Sequence, residues 1–188
     1  THPYVQGQLR DIGIGSSGRR LRGPRRRSRS PTSRRQGDAR QRGLTLQPND
    51  PQQHAVYAAE DSVLAGVGPR LRRWRDVERF VESVLGDPVY LERFPDAPLD
   101  ITLQRRSRSA TASLAVPAHR VVAIRDGSWN ALTILHELAH LIDHGAQPHG
   151  PQFAAVELEL VRRWCGFDAY VALRTAFAGH GVVIGPMR

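Results

Sequence analysis

The chain has 188 residues and a formal net charge of +9, with 27 basic residues, all arginine, against 18 acidic ones. That length allows one domain with a real core, while no apolar run approaches the ~18 residues of a membrane span and none reads as a secretory signal. The charge is unevenly placed: residues 1–50 hold 12 Arg and 3 Asp, residues 51–188 hold 15 Arg and 15 acidic residues, so the basic character belongs to a tail and not to the remainder of the chain.

Residues 1–49 are dominated by Gly, Ser, Pro and Arg, and the stretch from Arg19 to Arg35 has almost nothing to bury. Such a segment is expected to be a disordered Arg-rich tail. Three roles fit it. It is an uninformative extension, an arm that neutralises nucleic-acid phosphates without needing a fold, or an Arg- and Ser-rich, acid-poor transit segment.

The ordered domain is expected over 50–188. Asp50-Pro51-Gln52-Gln53 reads as a helix start, with Asp as N-cap, Pro at the first helical position and Gln at N3. Val56, Ala59, Val63 and Val67 continue it as an apolar stripe to about Gly66. A second helix runs from about Leu71 to Leu85, with Trp74, Val77, Phe80, Val81 and Val84 at three-to-four spacing, and Gly86-Asp87-Pro88 ends it. From Leu99 the period becomes two: Leu99, Ile101 and Leu103 alternate with Asp100, Thr102 and Gln104, which predicts a strand. Arg105 to Ser109 reads as a polar turn. Ala112–Val116 and Arg120–Ile124 read as two further short strands separated by Pro117. After Asp126-Gly127 comes a strongly apolar helix, Ser128 to Asp143. Pro151 then starts a helix that Gly166 stops, and Asp168 caps a last one ending at Gly179. The expected fold is α+β, a small three-stranded sheet packed beside the apolar helix and flanked by N- and C-terminal helices. The single cysteine, Cys165, excludes an internal disulfide and fits a reducing, cytoplasmic compartment. Its apolar neighbours make it a packed residue.

Inside the apolar helix stands His136-Glu137-Leu138-Ala139-His140, the H-E-x-x-H pattern of zinc-dependent hydrolases. Histidines four apart share a helix face, ~6 Å apart along the axis, so both imidazoles reach one ion. Glu137 follows the first histidine directly, where a general base acting on water belongs. Three ionisable groups on a buried helix are costly unless something satisfies them, and a metal does so.

A catalytic zinc takes a third protein ligand. Asp143 and His144 lie one turn further along and would have to reach back ~5 Å. The metzincin pattern needs Gly and His where this chain has Asp143 and Ala146, so it fails. Glu157 or Glu159 would serve if a carboxylate came from the next helix. His149 is the favoured third ligand, because Gly145, Pro148 and Gly150 let the chain turn back and place it just before a helix N-terminus. Three imidazoles favour Zn2+ among available ions.

The pairing of His136-Glu-Leu-Ala-His140 with His149-Gly-Pro-Gln-Phe153 resembles the SprT-like zincins, the group that includes the Spartan DNA–protein crosslink protease. The chain resembles more closely a group of small actinobacterial metallohydrolases, which share an opening like Asp50-Pro-Gln-Gln-His-Ala-Val-Tyr-Ala-Ala-Glu60 and an ending like Leu173-Arg-Thr-Ala-Phe-Ala-Gly-His-Gly181. The resemblance covers about residues 49–182. It implies a zincin-like fold, zinc ligands at His136, His140 and His149, a base at Glu137 and an aromatic packed behind the site at Phe153; the zinc-hydrolase chemistry itself leads to the expectation of a peptidase with a protein or peptide substrate. The additional DNA-binding and partner-recruiting modules of Spartan are lacking. Tyr170, Arg174 and His180 are candidate helpers for the oxyanion, with nothing in their spacing to select one. The strand over 120–124 is the expected sheet edge for an extended substrate.

Overall fold

In the computed structural model the described residues are 18–23, 50–143, 145 and 147–186. They form a mixed α+β fold of six helices and a four-stranded sheet. The candidate ligand His144 and most of the Arg-rich tail, residues 1–17 and 24–49, lie outside the described residues.

The part of the tail that is described corrects the sequence reading. Arg19–Arg22 is a strand, β1, which pairs antiparallel with β2 (Asp100–Arg106) and makes the sheet four-stranded where three strands were expected. Its one apolar residue, Leu21, points into the core and is 3% exposed. Arg19 reaches Glu78 and Glu82 of the second helix, and Arg20 pairs with Asp100. The unpaired edge of β2 supplies what composition could not show: a row of backbone partners for a segment too polar to fold alone.

The first helix, α1, spans Gln53–Val63 and not 50 to 66; Gln52 precedes it without a side-chain cap bond. The second, α2, spans Trp74–Gly86. A short third helix, α3 (Pro88–Arg93), stands where Asp87-Pro88 was read only as a stop; Asp87 accepts from the Val89 N–H at 3.0 Å and Pro88 occupies the first turn. The same two residues end one helix and begin the next.

In β2, Ile101 and Leu103 are buried, as the period-two pattern predicts. β3 (Leu114–Val116) and β4 (Val121–Arg125) follow, joined by a single turn at Pro117–His119. β4 runs parallel to β2 and antiparallel to β3, giving the order β1-β2-β4-β3. The strand expected to offer a free edge is therefore interior, with Val122, Ala123 and Ile124 all buried. Among the described residues the free edge beside the site belongs to β3.

The helix α4 (Ala131–Ile142) starts at Asn130, whose side chain accepts from the Leu132 N–H at 2.7 Å. Every residue of α4 except Thr133 is buried. It lies between β3 and β4 on one side and α5 (Pro151–Trp164) on the other, and α6 (Phe167–Gly179) packs against both α5 and α1. A helix apolar all round must be enclosed this way. No helix among the described residues is long and apolar enough to cross a membrane.

Candidate metal centre

The i, i+4 spacing places His136 and His140 on one face of α4, and the turn that ends at Gly150 returns His149 to that face. Their Nε2 atoms converge: His140 to His136 is 3.1 Å and His149 to His136 is 3.4 Å. Ligands 2.0–2.1 Å from one tetrahedral ion stand ~3.3 Å apart. All three rings are buried, with His149 at 0% exposure. Phe153, one turn into α5 and fully buried, lies 4.5–5.0 Å from all three imidazole centroids. The four rings expected to form the site are thus brought together.

The opposite nitrogens of two of these rings meet carboxylates. His136 Nδ1 is 2.6 Å from Glu60 Oε1, and His149 Nδ1 is 2.6 Å from Asp50 Oδ2. An imidazole that donates its Nδ1 proton to the acid presents a bare lone pair at Nε2 once its second proton is gone. Two bare nitrogens cannot hydrogen-bond each other. The convergence of lone pairs in a dry site is satisfied by a cation, and carboxylate–imidazole pairs of this kind orient metal ligands. Gln52 fastens the same corner: its Nε2 donates to the His149 carbonyl at 3.0 Å, and its Oε1 accepts from the Val183 N–H at 2.5 Å. Gly185 N–H then bonds the Pro151 carbonyl at 2.7 Å, an approach so close that a Cβ there would meet Pro151 backbone at 3.1 Å.

A second group, Glu60, His136 and Glu157, also brings ligand-type atoms together. Its shortest pair, His136 to Glu60, is at hydrogen-bond distance, whereas nitrogen and oxygen on one tetrahedral ion would stand ~3.3 Å apart. Glu157 is wholly buried 3.8 Å from His136 Nδ1, with neither oxygen hydrogen-bonded by geometry. Burial, and after it the charge of Glu60, hold Glu157 well above the usual carboxylate range; burial raises Glu60 to about 7. The short Glu60–His136 contact, with Glu157 3.8 Å from the same nitrogen, is the spacing of a hydrogen-bonded pair beside a second buried acid and not that of three ligands on one tetrahedral ion.

Burial, then the like charges of His136 and His149, hold His140 well below its ordinary value; burial also lowers His149, against the pull of Asp50. These two rings are neutral and ready to bind at pH 7. Around His136 burial is outweighed by Glu157, Glu137 and Asp50, which keep it raised.

Beside His136 and His140 opens a cleft of about 380 Å³, whose walls include Glu137, Tyr57, Gln53, Arg106 and Leu114. Glu137 is 6% exposed. Burial pushes its carboxyl up to about 7, while His136, Arg106 and a hydrogen bond with the Ala115 backbone pull it down. The far wall is the loop before β3, held by Arg106 on the Ala112 carbonyl at 2.7 Å and by Arg125 on Ala110 at 2.7 Å.

The other candidates fall elsewhere. Asp143 ends α4 and turns its carboxylate to the Gly145 N–H. Glu159 pairs with Arg93 at 2.9 Å. Arg174 bonds the Tyr170 hydroxyl on α6, His180 is exposed, and none of the three lines the cleft. Sequence reasoning missed Asp50 as a partner of His149, and also Tyr57, Glu60 and Arg106; it named Glu157 only as an alternative third ligand, and the structure sets it beside Glu60 and the Nδ1 side of His136. The available signal was the spacing of Gln53, Tyr57, Glu60 and Leu64 at i, i+4, i+7 and i+11, which puts a carboxylate and a phenol on one face of α1.

No family model, no curated protein and no solved structure matches the chain.

Proposed function

We propose that the chain is a zinc-dependent hydrolase of the SprT-like zincin type, acting on peptide bonds. The observation that carries this is the convergence of three buried imidazoles, with His136 Nε2 3.1 Å from that of His140 and 3.4 Å from that of His149 and two of the rings bonded to carboxylates, beside a cleft that also holds Glu137. His136, His140 and His149 would hold the ion. When bound, zinc supplies a Lewis acid that polarises a carbonyl and lowers the pKa of water toward ~7.

The protein's own groups account for the rest of the chemistry. Glu137, with a pKa near 7, is poised to take a proton from the attacking water and to return it to the leaving amine. The water oxygen bonds to the carbonyl carbon, the C–N bond breaks, and Glu137 ends in its starting state. The buried rings and Phe153 keep bulk water from the ligand side. β3 is a free edge, and Leu114 with residues 111–113 lines the cleft. An extended peptide paired with that edge would lie along the wall facing Glu137. These features favour a peptide over a compact small molecule.

The test is Glu137→Gln. Stoichiometric zinc should remain while hydrolysis of unfolded casein falls to background; full activity in that variant would remove Glu137 from the reaction and sink the mechanism.

A further inference from the structure

We propose that α1 supplies the electrophilic wall of the cleft: Tyr57 is the catalytic residue that donates to the oxyanion, and Gln53 holds a neighbouring carbonyl of the substrate. This rests on the hydrolase reading above and names what that reading leaves unassigned. Three observations converge on it. Tyr57 lines the cleft together with Glu137, His136 and His140. Its ring stacks on His136 at 5.5 Å between centroids and meets His149 edge-on at 5.0 Å, so the phenol is fixed against two of the three converging imidazoles. Gln53, one helical turn before it, also lines the cleft, and its buried Nε2 has no hydrogen-bond partner. A buried amide donor left without an acceptor is costly, and an acceptor carried in by a ligand relieves it.

The chemistry needs a donor here. As the water oxygen bonds to the carbonyl carbon, the π pair moves onto the carbonyl oxygen, and the negative charge grows in a site shielded from solvent. A phenol O–H aimed at that oxygen stabilises the charge where it develops. When the pair returns, the C–N bond breaks and the proton held by Glu137 goes to the amine, while Tyr57 keeps its own proton throughout. Arg106 also lines the cleft and gives one of its hydrogens to the Ala112 carbonyl. Tyr170 and Arg174, bonded to each other on α6, are out of reach of the cleft.

The experiment compares zinc-loaded full-length wild type, Glu137→Gln, Tyr57→Phe and Gln53→Leu on a fluorogenic casein-derived peptide, with zinc content and zinc affinity measured for each. A phosphonamidate peptide, which mimics the tetrahedral arrangement, is titrated in parallel. Tyr57→Phe should lower kcat by ~10²–10³-fold with KM within about twofold. It should weaken the phosphonamidate by a similar factor and leave zinc affinity unchanged. Gln53→Leu should raise KM about tenfold with kcat nearly kept. If wild type cleaves and Glu137→Gln does not, but Tyr57→Phe matches wild type in kcat and in phosphonamidate affinity, the role of Tyr57 is overturned and the hydrolase reading stands. If Tyr57→Phe loses zinc in proportion to activity, Tyr57 is a packing residue of the centre and the proposal is likewise overturned. A wild type that binds zinc but cleaves nothing overturns both.

Discussion

Replacing Asp50 by alanine separates two roles that one carboxylate could play. As a helix N-cap, Asp50 would stabilise the protein by ~1 kcal/mol whether or not metal is bound. As the partner of His149 Nδ1 at 2.6 Å, it fixes the ring that points Nε2 at the metal position. His149 is fully buried, and the Asp50 side chain is 11% exposed. Water therefore has little access to replace the lost bond. Outer-shell partners of this kind are worth 10–100-fold in metal affinity, or about 1.4–2.7 kcal/mol. At saturating zinc the stabilisation by metal shrinks by the same amount, and for a domain of this size that removes roughly 3–10 °C of the zinc-dependent rise in Tm. Zinc affinity is read by competition with a chromophoric chelator and Tm by calorimetry with and without zinc. Asp50→Asn, whose carbonyl still accepts, should sit at the tenfold end, and Asp168→Asn, exposed on α6, should change nothing. Equal loss of Tm with and without zinc, together with wild-type zinc affinity, would refute the orienting role.

Further outcomes follow from the same geometry. Phe153→Ala removes a fully buried ring that touches all three imidazoles and should cost about 3–5 kcal/mol in urea unfolding, with weakened zinc binding; a cost below 1 kcal/mol would show that the ring is not packed as described. Leu21→Ala should cost about 2–3 kcal/mol without altering zinc affinity, because Leu21 anchors β1 to the sheet; unchanged stability would mean that this strand does not form. Zinc binding at pH 6 should release fewer protons than the ~2 given up by three ordinary imidazoles. The sign comes from the shifts: His140 and His149, lowered, hold their protons less than an ordinary imidazole does, while His136, raised, keeps one that zinc must displace. Affinity should accordingly fall as pH drops through the His136 range. Calorimetry in buffers of different ionisation enthalpy measures the count, and a release of two or more would contradict it.

The histidine face of α4 was legible because its geometry is local: an apolar helix fixes the spacing of His136 and His140 without help from the rest of the chain. His149 was nearly as accessible, since the small residues around it and the proline starting α5 let the chain fold back over nine positions. The alternating pattern of β2 and the start of α5 were readable for the same reason, whereas Asp168, read as the cap of α6, lies inside its first turn behind Gly166. Asp50 was misassigned because short-range rules make it a cap, while the folded chain offers it a charge-assisted bond to a buried imidazole 99 residues away. Glu60 meets His136 across 76 positions, and Glu157 joins them from another helix. No local periodicity encodes such partnerships; they exist only once α1, α4 and α5 pack. β1 is the same lesson in the sheet: its arginines and single leucine describe a tail until the edge of β2 gives its backbone hydrogen bonds. Local spacing and residue chemistry were enough to pick out the three converging imidazoles and Glu137 beside them. Long-range packing chose the acids that orient those rings, moved the free edge from β4 to β3, and set Tyr57 against the rings.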